Sequence, residues 1–474
     1  MNLTTMNTQG KYIKKNATVI LFAILITLST SLYIKNDGRE MRKIEKMIVA
    51  PTFLNNKYDV TEYGATGDGV SDALPAIKKA IDICSYHGGG RVVLPKGKYF
   101  SKGPIALKSN VNLHLEEGAE ILFSADEKDY LPAVLTRWEG TELYNYSPLI
   151  YAYNVRNIAI TGKGIINGQG SKNIAKWKPN QRQDQTLLRK MGMEVTPVYE
   201  RVFGEGHFLR PALIELVSCT NILIEDIKII DVTFWTIHPL FCTNVTVRRV
   251  EVESYNDNSD GVDTESCYNV LVENCYFKTA DDGIAIKSGR DNDAWRVGQP
   301  SENIIIRNCV FDSKINGVCI GSEISGGVRN VFVKNITILK CTNALYFKSN
   351  LDRGGYVQNV YFRNIKVKEC ATLIKFEPNY KNESKNDYPT QFKGFSFKNI
   401  HAEKATVSGI DITGFEDMPV EDVTIENLTV KSTPLPLVIK NAKNVSLKKV
   451  MMNGEKVHYH SSKNRKISLK LFCD

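Results

Sequence analysis

The sequence predicts an all-β fold, a right-handed parallel β-helix closed at its start by an N-terminal capping helix, and two recurrences predict it. A six-residue phrase returns four times, as Gly261-Val-Asp-Thr-Glu-Ser266, Gly283-Ile-Ala-Ile-Lys-Ser288, Gly317-Val-Cys-Ile-Gly-Ser322 and Ala344-Leu-Tyr-Phe-Lys-Ser349. A second phrase, Asn followed by alternating apolar residues, opens coil after coil at Asn221, Asn244, Asn269, Asn303, Asn330, Asn359 and Asn444. From Asn221 to Asn359 the copies lie 23, 25, 34, 27 and 29 residues apart, periods that belong to solenoids. A third phrase follows at Asn274, Asn308, Asn335, Asn364, Asn399 and Asn427, so each coil carries short strands separated by bends. Val, Ile and Phe alternate at period two, which is a strand pattern and not that of helical or leucine-rich repeats.

Taken in chain order, the first element is a targeting segment, residues 1–35. Lys11, Lys14 and Lys15 precede an apolar run from Ala17 to Leu28 and then Ser29, Thr30 and Ser31, the order of a secretory signal. Extended through Ile34 the run reaches 18 residues, enough for an uncleaved membrane anchor, so export to the periplasm, the exterior or a membrane tether is expected. Residues 36–56, rich in Lys and Arg, read as a linker. Residues 57–109 read as the cap region, with Asp72 as N-cap of a helix that gathers Ala73, Ile77, Ala80, Ile81 and Cys84 on one face. Residues 110–460 form the β-helix and residues 461–474 a tail. The acidic loop Gly64–Asp72 lacks the far ligand of a calcium loop, and no metal site is expected there.

Composition fits one large soluble body: of 474 residues 42% are hydrophobic and 24% charged. The net charge of +9 is spread without a basic block, which reads as a solvated surface or as mild attraction to an acidic polymer, and no nucleic-acid binding is expected because no aromatic-interleaved basic patch appears. The ten cysteines fall at repeat positions, such as Cys219, Cys242 and Cys267 two residues before a repeat Asn. They predict columns of buried, reduced thiols and not a disulfide framework. A monomer is expected.

In-register stacking of the six-residue phrase puts Asp260, Asp282, Asn316 and Asn343 in one column, with carboxylates one strand spacing apart, roughly 5 Å. Trp235 belongs to the same column one coil earlier, because Thr233–Cys242 aligns with Asn258–Cys267 without a gap. Asp281 lies beside it. Like charges this close raise the pKa of one member, which is what glycoside hydrolysis requires of a proton donor beside an ionised base. Trp235 offers a face for a sugar ring, and His238 falls in the column of Asp263. Lys287 and Lys348 share a column with Glu265 and either hold an anionic substrate or pair with that glutamate. Tyr346 and Arg353, next to Lys348, complete the expected binding set.

These residues resemble a known family. From about Tyr58 to Asn444 the chain is similar to the polygalacturonase-type enzymes of glycoside hydrolase family 28, especially their bacterial branch. Asn258-Ser-Asp260-Gly stands for the family's Asn-Thr-Asp signature and Asp281-Asp282 for its paired acids. Ile286-Lys-Ser-Gly-Arg290, Gly321–Gly327 and Phe234–Pro239 are similar too. The resemblance implies an inverting hydrolase of pectic polysaccharide that uses no metal or organic cofactor, with Asp281 as general acid and Asp260 with Asp282 activating water. For inversion, carboxyl separations of about 6.5–9.5 Å are expected.

Two positions depart from the family. Ile315-Asn316-Gly317 replaces a Gly-His-Gly segment, and Tyr346-Phe347-Lys348 replaces Arg-Ile-Lys. A phenol cannot grip a carboxylate as a guanidinium does, so the departures predict tolerance for a neutral, decorated or rhamnose-containing pectic chain. The competing readings are a non-catalytic glycan-binding solenoid, which the absent His favours, a surface adhesin or structural β-helix, which leaves the acid cluster unexplained, and a β-helix lyase, for whose calcium and Arg base no Asp-Arg arrangement is found.

Overall fold

The computed structural model describes residues 38–382, 386–457 and 459. Through the middle of the solenoid each coil carries three strands that lie parallel on their counterparts in the next coil, while Val134–Trp138 with Thr141–Asn145 and Ala442–Met452 with Glu455–Lys456 pair antiparallel. The sheet that bears the six-residue phrase is paired as Ile214↔Ile237↔Val262↔Ile284↔Val318↔Leu345. That column points inward and is at most 1% exposed, and each such aliphatic contributes about 1.5–3 kcal/mol. The solenoid is a right-handed parallel β-helix, the hand that twisted strands favour in parallel crossovers.

The repeat asparagines explain how the bends close. Asn221, Asn244, Asn269, Asn303, Asn330 and Asn359 have φ between 57° and 61°, a left-handed conformation that Asn tolerates better than other side chains. Each donates its amide to the one a coil earlier: Asn244 to Asn221 at 3.0 Å, Asn269 to Asn244 at 3.2 Å and Asn303 to Asn269 at 3.1 Å. A second ladder runs through Asn308, Asn335, Asn364, Asn399 and Asn427.

The stack begins earlier than position 110. Lys57–Asp59 already pairs with Gly90–Leu94, and that strand with Val111–Leu115. These first coils lack the Asn phrase, which is why the sequence pattern placed them outside the solenoid. The helix Leu74–Tyr86 buries Ala76, Ile77, Ala80, Ile81 and Cys84 against the core. Its cap position is Ala73, one residue later than expected, while Asp72 accepts from the amides of Leu74 and Lys102, each at 3.0 Å. Asp68 is spent on the amides of Val70 and Ser71 within its own turn.

Residues 38–47, assigned to the linker, are helical and belong to a separate compact unit. The targeting segment 1–35 and the tail 461–474, with Cys473, lie outside the described residues. No helix among the described residues is long and apolar enough to cross a membrane. The nine described cysteines are buried and unpaired. Cys219, Cys242 and Cys267 follow one another through the register, and Cys341 pairs directly with Cys370.

One excursion breaks the coil rule and shapes the site. Between Asn167 and Ile214 the chain leaves the stack, forms the helix Arg182–Met193, and adds Val202–Phe203 to the hairpin of Val134–Trp138 and Thr141–Asn145. A second small core holds it down, made of Trp138, Leu143, Leu188, Phe203, Leu209, Ala212, Phe234 and Trp235.

Candidate active site

The six-residue strands deliver Asp260, Asp281 and Asp282 to one cleft of about 270 Å³. One oxygen from each lies within 4.8 Å of the others. Asp260 sits just before Val262–Glu265, and Asp281 and Asp282 just before Ile284–Lys287, so the parallel register fixes their convergence. Trp235, Lys287, Lys348 and Arg353 line the same cleft.

The three acids have different surroundings. Asp282 accepts from Asn316 Nδ2 and lies 3.4 Å from Lys348 Nζ. Asn343 in turn donates to Asn316 at 2.8 Å, so the predicted column is a hydrogen-bonded row. Asp281 accepts from Asn258 Nδ2 at 3.1 Å, and Asn258 Oδ1 accepts from Arg210 at 2.6 Å. Burial and the neighbouring Asp282 push the Asp281 carboxyl up to about 7, against the pull of Lys348 and Lys287. Burial and the charges of Asp263, Asp281 and Asp282 hold the Asp260 carboxyl well above the usual range.

Cations surround this cluster. Lys287 Nζ lies 3.2 Å from Glu323 Oε2 and 3.7 Å from Asp263 Oδ1. Burial acts to lower the charge state of both lysines, but Glu323, Asp263 and Asp260 hold Lys287 protonated, and Asp282 does the same for Lys348. Arg290 and Arg353 flank them, Arg353 ion-paired with Asp291 and Arg290 3.5 Å from Glu323. Lys178 and Arg189 enter from the excursion. Burial opposes ionisation of Glu323, yet Lys287, Arg290 and Arg353 hold its carboxyl well below the usual range. The close carboxylate oxygens of Asp260, Asp281 and Asp282 have a spacing that a divalent cation could bridge, and the ammonium of Lys348 stands 3.4 Å from Asp282 beside them.

Several expected positions differ. Neither lysine pairs with Glu265, which instead holds His238 at 2.9 Å and Arg137 at 3.4 Å. His238 does not line the cleft: it is fully buried beneath it between Glu215 and Glu265, and those two carboxylates outweigh burial and push it up to about 10. Trp235 is only 3% exposed. Phe234 stacks on it at 5.0 Å and Lys287 lies over its ring at 4.6 Å, so it is not an open platform for a sugar. Tyr346 is also buried, its hydroxyl bonded to Glu377, with Lys348 and Lys375 over its ring. The phenol therefore does not face a sugar.

Comparison with known proteins assigns the architecture. The model of glycosyl hydrolases family 28 matches residues 201–452, more than half of the chain. The chain belongs to that family. This family 28 chain also matches the model "Rhamnogalacturonase A/epimerase, pectate lyase-like" over residues 58–117, which covers the first coils. It is 37% identical in sequence to a hyperthermoactive exopolygalacturonase from Thermotoga maritima, with TM-score 0.84 over 88% of this chain and 96% of that one. It is 29% identical to the exo-poly-alpha-D-galacturonosidase of Dickeya chrysanthemi, covering 80% of this chain and 67% of that protein. To a probable polygalacturonase of Vitis vinifera it is 26% identical, covering 82% and 77%. It is an O-glycosyl hydrolase with polygalacturonase-like activity.

The family 28 cleft contains residues that the repeat did not single out. Arg290 and Glu323 sit in phrases already noted, three residues beyond Lys287 and one beyond Ser322. Glu139, Lys178 and Arg189 come from the hairpin and excursion, which carry no repeat.

Proposed function

We propose that this hydrolase is an exported, exo-acting enzyme that removes acidic sugars from the end of a polygalacturonate-type pectic chain. The observation that carries the reading is a cleft in which Asp260, Asp281 and Asp282 face Lys178, Lys287, Lys348, Arg290 and Arg353. Cations of this kind match the repeating carboxylates of a uronate polymer, and guanidinium groups bind carboxylates through paired charged hydrogen bonds. The wall contributed by Lys178 and Arg189 on the excursion, together with the exo-acting names of two relatives, supports attack at a chain end. Weighing against a neutral-sugar subsite, Tyr346 is buried with its hydroxyl bonded to Glu377 and is not among the residues lining the cleft, while Arg290 and Arg353 are.

In this reading Asp281 carries the proton for the leaving glycosidic oxygen, since its carboxyl is half-protonated near neutral pH. Asp282, ion-paired with Lys348, takes the proton of the attacking water with Asp260 beside it. Water attacks from the opposite face and the anomeric configuration inverts, as the family resemblance implies. Proton NMR of the first product from a short galacturonate oligomer tests this, and a retained configuration would overturn it. Export rests on the charged, apolar and small-residue order of residues 1–35.

A further inference from the structure

Asp263 is a fourth carboxylate that the mechanism above does not use. It lies on Val262–Glu265, three residues after Asp260, and is 0% exposed. Neither of its oxygens has a hydrogen-bond donor, and Asp260 Oδ1 lacks one too. The groups facing it from the adjacent coils are His238 on one side and Lys287 and Asp282 on the other. His238 bonds Glu265 through Nε2 at 2.9 Å and has Nδ1 3.6 Å from Glu215, with no hydrogen bond from either nitrogen to Asp263, and Lys287 stands 3.7 Å from Asp263, beyond hydrogen-bonding distance, with Glu323 closer at 3.2 Å. Asp260 is the remaining partner within reach of a side-chain hydrogen bond.

Two ionised carboxylates in that position repel each other and leave both Asp263 oxygens and Asp260 Oδ1 without a donor. One proton between them supplies the missing donor to both, and the remaining single charge faces Lys287. We infer that Asp263 and Asp260 share one proton, making Asp263 a positioning residue that sets the charge and orientation of Asp260. The pair then behaves as one monoanion, and the cluster of four acids carries no more charge than Lys287 and Lys348 balance. The water-derived proton goes to Asp282 and the proton of Asp281 goes to the leaving oxygen, so the shared proton stays in place and the cycle balances.

The inference rests on the hydrolytic reading for its significance, but its test does not need turnover. Carbon-13 NMR of the aspartate carboxyls is recorded against pH in the full chain and in Asp263→Asn. In the unchanged protein the Asp260 and Asp263 signals should move together through the same steps, as coupled groups do. In Asp263→Asn the upper step should vanish, and Asp260 should titrate in one step lower by about one pH unit or more. Separate midpoints for the two residues, or an Asp260 step unmoved by the substitution, would overturn it. If Asp263→Asn does not fold, the titration of the unchanged protein decides alone. Lack of hydrolysis of polygalacturonate with joint titration intact would count against the functional reading and leave the shared proton standing.

Discussion

Lys348 sets its ammonium 3.4 Å from Asp282 across two coils of the solenoid, and both are nearly buried. An ion pair so enclosed is costly to break from one side, because the survivor keeps its charge without a partner. Lys348→Met should destabilise the protein by about 3 kcal/mol and lower turnover on polygalacturonate on the order of 100-fold. Thermal melts with initial rates check both, and a variant with unchanged stability and rate would remove Lys348 from the site.

Asp281 yields a pH prediction. Its carboxyl is raised to about 7, so the proton it is proposed to donate is present below that value and lost above it. Activity should fall as pH rises through about 7. Asp281→Asn should lose on the order of 100-fold or more in turnover while still binding oligogalacturonate.

The same shift affects stability. A carboxyl raised in the folded state binds its proton more tightly there than when unfolded, so its contribution is full below the unfolded value, near 3.8, and is lost as pH rises through about 7. Asp260 acts in the same direction. The melting temperature should therefore decline between mildly acidic pH and pH 8, and Asp281→Asn should flatten that decline.

Arg290 tests the charge of the substrate. It stays cationic even though burial and the neighbouring Arg353 and Arg189 lower it to about 10. Arg290→Gln should raise KM for polygalacturonate about 10-fold or more, the worth of one charged hydrogen bond, and should affect methyl-esterified chains less. Equal losses on both would show that Arg290 does not read the sugar carboxylate.

Asn303 tests the ladder. It donates to Asn269 and accepts from Asn330, each at 3.1 Å, at φ 61°. Asn303→Ala should cost about 2 kcal/mol, from two lost hydrogen bonds and a left-handed backbone that Ala tolerates less well. Chemical denaturation measures it.

How much of this was legible in the sequence depends on whether a residue belongs to the repeat. The columns of Asp260, Asp282, Asn316 and Asn343 follow from spacing, because one-to-one parallel register turns equal offsets into neighbours. What covers those columns does not. His238 and Tyr346 occupy their expected register positions but are capped by Glu265 and Glu377 side chains, and Trp235 is covered by Phe234. Lys178 and Arg189 reach the cleft from a segment without periodicity, and the first coils from Lys57 lack the Asn phrase. Register was readable from local pattern, whereas side-chain cover depends on contacts between segments far apart in the chain.

The products formed from unsubstituted polygalacturonate test the proposed exo-hydrolysis most directly. Chromatography of a time course with the unchanged protein and with Asp281→Asn is the direct measurement. The expected result is short acidic sugars from the first time points, slow loss of viscosity, and a rate reduced on the order of 100-fold or more in the variant. No release of reducing ends by the unchanged protein, or equal rates in the two, would contradict it.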